Sequence, residues 1–270
     1  MDWTNSTRMK QKIFQIDAFT NTLFGGNPAA VCILESWISA ELMQKIAAEN
    51  NLAETAYAVK KSDHYELRWF TPELEVDLCG HATLATAFVL FNHHNITEYT
   101  LRFISARSGE LLVEKNSDGS MTLDFPTDDL NPVASQEKIN KAIGETPLET
   151  YKGKTDYLLI YESQEIIENI HPNFHLLNEL DCRGVIVSSQ GNEADFVSRF
   201  FCPQCGIPED PVTGSAHTTL TPYWSKKLRK SKLSAQQLSQ RGGKLQCEDL
   251  GKRVKITGHA VCYLIGEIEI

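Results

Sequence analysis

The hydrophobic pattern divides this chain into β-rich stretches interrupted by a few helices. Lys12 to Phe19 and Ala29 to Leu34 read as strands, separated by the turn Phe24-Gly25-Gly26-Asn27-Pro28. Ser39 is placed to cap a helix, with Glu41 in its first turn and an apolar face through Leu42, Ile46 and Ala47. That helix is expected to end near Asn50-Asn51. Glu54 to Val59 and Tyr65 to Phe70 return to strand. His81 to Phe91 reads as a helix that is apolar nearly all round, a pattern that belongs inside a core. Strand-like runs follow at Tyr99 to Ile104, Glu110 to Glu114 and Met121 to Phe125.

The pattern then starts again after a polar linker, Pro126 to Val133. Strands are expected at Tyr157 to Tyr161, Gly184 to Ser188 and Asp195 to Phe201, and a helix from Gly214 interrupted at Pro222. Strands at Gln237 to Gln240, Lys244 to Cys247, Val254 to Thr257 and Ala260 to Ile265 close the chain. The halves read as a diverged repeat. Phe70-Thr71-Pro72 precedes Gly80-His81-Ala82, and Phe201-Cys202-Pro203 precedes Gly214-Ser215-Ala216. In each, a strand ends at F-x-P, a short acidic loop follows, and G-x-A opens an apolar helix. Two such helix N-termini would face each other across a cleft, each with unpaired N–H groups able to hold a carboxylate.

At 270 residues the chain is large enough for one large or two small domains without a metal or disulfide staple. Its balance of 26 basic against 35 acidic residues, net −9, argues against a nucleic-acid partner. No apolar run reaches the ~20 residues that span a bilayer, so no membrane association is expected. The start shows no charged segment followed by an apolar one, so no secretory signal is expected, and the polar stretch before Met9 reads as an extension, leaving the origin of residues 1–9 open. Seven irregularly spaced cysteines suit a reducing, cytoplasmic compartment. Cys202-Pro203-Gln204-Cys205 is the one CxxC; no second pair gives it zinc-ligand company, and the two read as ordinary half-buried thiols. No Gly-rich nucleotide loop is present.

Four polar groups stand at strand ends and loop–helix junctions. Glu54, between Ala53 and Thr55-Ala56, sits in an apolar setting where a carboxyl loses solvation, which suits a general acid/base. His81 and Ser215 lie at the two helix starts, where capping or packing is the plainer role. Asp210 precedes Pro211, as turn-forming aspartates often do. Cys79 lies just before a Gly-led helix, a place that can lower a thiol pKa. A two-thiol inversion would need a partner in the second half, where Thr213 stands instead.

Read together and in order, Gly26-Asn27-Pro28-Ala29-Ala30-Val31, Asn51-Leu52-Ala53-Glu54-Thr55-Ala56, Asp77-Leu78-Cys79-Gly80-His81-Ala82-Thr83, Asp210-Pro211-Val212-Thr213-Gly214-Ser215-Ala216-His217 and Arg241-Gly242-Gly243 resemble the PhzF-like phenazine-biosynthesis isomerase family, from Lys10 to Ile270. The resemblance implies an α+β fold similar to diaminopimelate epimerase: two similar domains, each a curved sheet or barrel wrapped around one helix. The domains are expected at residues 10–125, completed by the strand near 260–270, and 126–259. It implies a homodimer that uses no cofactor and no metal and moves a proton within a small carboxylate-bearing substrate. The family's catalytic glutamate falls on Glu54, its supporting groups on His81, Asp210 and Ser215. Gly80 and Gly214 are expected to bind the carboxylate through backbone N–H groups, and Asn27 to line the substrate site. Two alternatives stand beside this: a thiol-assisted amino-acid epimerase using Cys79, and a non-catalytic small-molecule-binding homologue.

Overall fold

A helix with no polar face must be surrounded, and the strands of this chain do the surrounding. The computed structural model describes residues 9–94 and 96–270. The reading of the first eight residues as an extension lies outside them. The first half runs β1 (Lys10–Ala18), β2 (Asn27–Leu34), α1 (Ala40–Asn50), β3 (Glu54–Lys60), β4 (Tyr65–Phe70), β5 (Glu75–Val76), α2 (Gly80–His93), β6 (Thr100–Ser105), β7 (Gly109–Lys115) and β8 (Met121–Pro126). The second runs β9 (Asn131–Pro132), α3 (Glu137–Ile143), β10 (Glu149–Lys152), β11 (Asp156–Ile160), α4 (Gln164–Asn169), α5 (Phe174–Asn178), β12 (Gly184–Gln190) and β13 (Phe196–Cys202). After a 3-10 turn (Pro203–Cys205) come β14 (Ile207–Glu209), α6 (Gly214–Leu228), β15 (Lys232–Gln237), β16 (Gly243–Asp249), β17 (Arg253–Gly258) and β18 (Ala260–Glu269).

The repeat is visible in the strand pairings. In the first half β1/β2 is antiparallel, β2/β3 parallel, β3/β4 antiparallel, β4/β6 parallel, and β6/β7/β8 antiparallel. In the second half β10/β11, β11/β12, β12/β13, β13/β15 and β15/β16/β17 follow the same succession. In both, the fourth pairing is parallel, so its connection must cross over the sheet, and α2 and α6 are those crossovers. The halves are stitched twice: β8 pairs with β17, and β18 returns to pair with β1. The sheet therefore curves around α2, of whose 14 residues ten are buried, from His81 to Phe91. The fold is α+β, with apolar α2 inside the first half and the more polar α6, seven of whose 15 residues are buried, in the matching place of the second.

Several local expectations shift. Asn27 and Pro28 belong to β2 rather than to the turn before it. The turn proper is Leu23-Phe24, and Gly25-Gly26 lead from it into β2; Gly26 takes φ +64° and a Cβ there would lie 2.1 Å from the Ala18 carbonyl oxygen, so only glycine fits. In α1 the buried face is Met43, Ile46 and Ala47, with Leu42 only half-buried; Ser39 Oγ caps the helix at Leu42 N, and Asn51 ends it in the left-handed region. Pro222 does not interrupt α6, which continues to Leu228. The carbonyl that Pro222 cannot reach, that of Thr218, lies 3.4 Å from the Asp128 N–H, which donates to it. The strand expected at Gln237 to Gln240 ends at Gln237 and begins at Lys232; its inward positions Leu233, Ala235 and Gln237 include a buried amide, which hid the alternation.

Candidate active site

The site forms where the N-termini of α2 and α6 meet. Gly80 and Gly214 sit back to back, so close that a Cβ on Gly80 would lie 3.6 Å from the Gly214 Cα. A Cβ on either glycine would thus be in ordinary van der Waals contact with the other helix start, so the two N-termini are direct neighbours. In the first half, the parallel register sets Ala29 beside Glu54, so Asn27 and Glu54 share one face of β2–β3, the face toward α2.

The side chains form a chain of contacts from one half to the other. Glu54 Oε2 lies 3.0 Å from His81 Nε2, close but without hydrogen-bond alignment. His81 Nδ1 lies 3.4 Å from Cys79 Sγ and 3.1 Å from Asn27 Nδ2. Asn27, fully buried, donates from Nδ2 to Asp210 Oδ1 at 2.7 Å and to the Val212 carbonyl at 2.9 Å. An amide nitrogen carries only two hydrogens, and these two oxygens use them, which leaves His81 Nδ1 to the Cys79 sulfur. Asp210 Oδ2 accepts from Thr213 Oγ1 at 2.5 Å. Gln237 Nε2 donates to the Asp210 carbonyl at 2.7 Å and to Thr213 Oγ1 at 3.2 Å, and Gln237 Oε1 accepts the Thr213 N–H at 2.9 Å.

Burial sets the electrostatics. It pushes the Asp210 carboxyl up to about 6, with Glu54 adding to the rise while His81, Thr213 and Asn27 oppose it. Burial alone would lower the His81 pKa; the Cys79 sulfur and the Glu54 carboxylate on either side of the ring outweigh it and hold His81 well above the ordinary imidazole value. The Cys79 thiol is pushed up to about 11 by burial and by Glu54. The lowering that a helix start can give a thiol is thus overridden here by the loss of solvent around Cys79. The arrangement offers an imidazolium between a carboxylate and a thiol, with a second carboxyl poised near neutrality.

Glu54, His81, Asn27 and Asp210 are thereby brought together. Ser215 sits half-buried one residue into α6, next to Gly214, and makes no side-chain hydrogen bond to these groups. Thr213 and Gln237 join the site although their sequence positions do not mark them: Thr213 stands where a second thiol would be, and Gln237 lies in an ordinary strand run. The Arg241-Gly242-Gly243 motif finds a role at the same place. Arg241 donates from Nε to the Gly26 carbonyl and from Nη2 to the Gly25 carbonyl, both at 2.8 Å, and pairs with buried Asp17 at 2.7 Å. It clamps the segment that delivers Asn27. For a metal, Glu54, Cys79 and His81 place one ligand atom each within 4.8 Å of one another.

The family described as phenazine biosynthesis-like protein (PhzC-PhzF) matches residues 16–266. The chain belongs to this PhzF-like family. It is 47% identical over 262 residues to an uncharacterized isomerase of Pseudomonas aeruginosa, covering 97% of this chain and all of that one. The crystal structure of a PhzF-family phenazine biosynthesis protein from Enterococcus faecalis superposes with a TM-score of 0.94 at 47% identity, over 97% of this chain and 100% of that one. A hydroxyproline epimerase from Agrobacterium vitis, only 9% identical, shares the fold at a TM-score of 0.61 over 100% of this chain and 94% of that one. PhzF-like and epimerase-like folds are therefore one architecture, and the α+β expectation holds. No helix among the described residues is long and apolar enough to cross a membrane.

Proposed function

We propose that this PhzF-like protein is a cofactor-independent isomerase that moves a proton within a small carboxylate-bearing substrate. Glu54 is the group that removes and returns the proton. The observation that carries this reading is the convergence of Glu54, His81, Asn27 and Asp210, from both halves, at the junction of the two helix N-termini. One carboxyl group serves both steps when the substrate stays in place between them. His81 and Ser215 hydrogen-bond the substrate or its developing negative charge, Asp210 orients its polar group, and the N–H groups at Gly80 and Gly214 take the carboxylate. Asn27 lines the site and ties its two sides together. The two units that close on substrate are residues 10–125 with 260–270, and 126–259.

The working form is proposed to be a homodimer in the cytoplasm, with no nucleic-acid or membrane partner. The free state of all seven cysteines supports a reducing compartment. Exposed Tyr263, Leu264 and Ile265 on β18, with Phe24 packed against Tyr263 at 5.8 Å between ring centroids, supply an apolar patch for a second copy. Light scattering of the purified chain should give twice the mass of one chain, and Tyr263→Lys should return it to one.

The test of the chemistry is solvent-deuterium incorporation into candidate carboxylic and amino acids. Glu54→Gln keeps size and polarity but cannot carry a proton, so exchange and turnover should fall by roughly 10²–10⁴-fold with the fold intact. Exchange at the wild-type rate would sink the assignment. Prolonged dialysis against a chelator should leave the rate unchanged; a loss restored by one divalent metal would give Glu54, Cys79 and His81 a different task.

The second reading, a thiol-assisted epimerase, rests on the 3.4 Å contact of Cys79 with His81. It requires a thiolate that the surroundings of Cys79 resist.

A further inference from the structure

We propose that Cys202 and Cys205 are an oxidant-modified dithiol, in which Cys205 reacts first and Cys202 closes a disulfide. The pair lies away from the helix N-termini, on the turn between β13 and β14. Cys202 ends β13, and Pro203–Cys205 form one 3-10 turn closed by Gly206 in the left-handed region. Cys202 caps this turn and Cys205 is its last residue, so a single short turn joins the two cysteines. The thiols are near enough for each to shift the other's titration, Cys202 upward and Cys205 downward.

The two are unequal. Cys202 is 2% exposed, whereas Cys205 stands open to solvent, with Sγ 3.9 Å from the Arg183 carbonyl oxygen. The expectation of two half-buried thiols is therefore replaced by one buried and one accessible. The Arg183 guanidinium lies by the pair, fixed by a two-pronged hydrogen bond to Asp156 and stacked 5.3 Å over the Phe200 ring. The neighbouring Cys202 lowers the Cys205 pKa, and Arg183 adds to this, against burial and the carboxylates of Asp156 and Asp210. Every other thiol is held above its ordinary value: Cys32 and Cys247 up to about 12, Cys79 and Cys182 up to about 11, with Cys262 and Cys202 also raised. Thiolate, not thiol, is the nucleophile, so exposure and acidity select the same sulfur.

With hydrogen peroxide as oxidant the chemistry closes in two steps. The Cys205 thiolate attacks one peroxide oxygen, the O–O bond breaks, and hydroxide leaves and takes up the proton lost by Cys205 to become water. The Cys202 sulfur then attacks the Cys205 sulfenic acid. The S–O bond breaks, and the hydroxyl leaves as a second water with the Cys202 proton. The two thiols lose two electrons, and one peroxide becomes two waters. The usual order in a CxxC, with the first cysteine exposed, is reversed here because the first cysteine ends a buried strand. The bond would close five residues upstream of Asp210, whose N–H donates to the Phe200 carbonyl at 3.0 Å.

The test uses the whole reduced chain, treated with hydrogen peroxide, quenched with N-ethylmaleimide and mapped by mass spectrometry. Trypsin releases residues 200–226 as one piece whose only cysteines are Cys202 and Cys205. That piece should lose two hydrogens and take up no maleimide, and dithiothreitol should reverse both changes. In Cys202→Ala, Cys205 should stop at a sulfenic acid trapped by dimedone. Native alkylation of the wild-type chain, which needs no variant to fold, should modify Cys205 at least ~10-fold faster than any other cysteine. A Cys205–Cys182 cross-link, two thiols still free after peroxide, or another cysteine alkylated first would overturn the proposal.

Discussion

Asp210 is the residue on which the two halves agree. Asn27 from β2 holds one carboxylate oxygen and Thr213 holds the other, while Gln237 from β15 holds its carbonyl. The Gln237 amide has only one workable orientation: its oxygen must face the Thr213 N–H and its nitrogen the Asp210 carbonyl. That nitrogen also points a hydrogen at Thr213 Oγ1, so the single hydroxyl proton of Thr213 goes to Asp210. Thr213→Val removes a hydrogen bond to the ionised form, and the Asp210 carboxyl should then lie above about 6. The acid limb of the exchange rate against pH should move to higher pH, while the N–H of residue 213 still holds Gln237. A limb that stays put or moves down would mean the hydroxyl does not support the carboxylate. At Cys79 the expectation is different. A thiol pushed up to about 11 is neutral at working pH, so Cys79→Ser should keep most of the activity. A loss as large as that of Glu54→Gln, with the fold intact, would move the protein into the thiol-dependent epimerases.

At the scale of elements, the site depends on backbone that bends sharply and helices that come close. The Gly25-Gly26 segment leads the chain out of the β1–β2 turn into β2 and sets Asn27 down beside His81. Gly26→Ala meets both a positive φ and the Ala18 carbonyl. It should cost more than ~1 kcal/mol, read as a lower denaturant midpoint at unchanged slope. Arg241→Gln should also lower the midpoint, because it leaves buried Asp17 without its guanidinium, and should in addition weaken binding at the site, because it releases the Gly25 and Gly26 carbonyls. Substrate affinity measured by titration checks this, and unchanged affinity would show that the clamp is structural only. The continuity of α6 through Pro222 teaches the same lesson. A proline breaks a helix when the freed carbonyl has no partner, and here Asp128 approaches that of Thr218.

For the whole molecule, two buried groups in the second half tie stability to pH in opposite senses. His217 is fully buried, donates from Nδ1 to the Thr213 carbonyl at 2.7 Å, and is held down to about 4 by burial. The unfolded histidine takes a proton near ~6.5. Stability from this group is therefore full above ~6.5 and lost as pH falls toward about 4. Asp210, held up to about 6, keeps a proton that the unfolded chain releases near ~3.9, so its contribution grows as pH falls through that window. Asp210→Asn removes the second effect alone. Its denaturant midpoint should fall more steeply than that of the wild-type chain between pH ~6.5 and ~4. Parallel slopes would contradict these assignments.

Much of this protein was legible in order along the chain. Apolar-all-round α2, the F-x-P to G-x-A repeat and the ordered motifs are local patterns, and side-chain periodicity and turn chemistry are local physics. They were enough for the fold class, for the family, and for Glu54, His81 and Asp210 as candidates. What the sequence did not determine are relations between residues far apart in it. Gln237 looked like any strand glutamine until β15 ran beside β13 and set its amide against Asp210 and Thr213. The place of Cys79 before a helix can lower a thiol pKa, yet the sheet around α2 removes the solvent a thiolate needs. Cys202 and Cys205 looked alike until β13 buried one and left the other outside. Burial and pairing belong to the assembled molecule, and only the tertiary structure sets them.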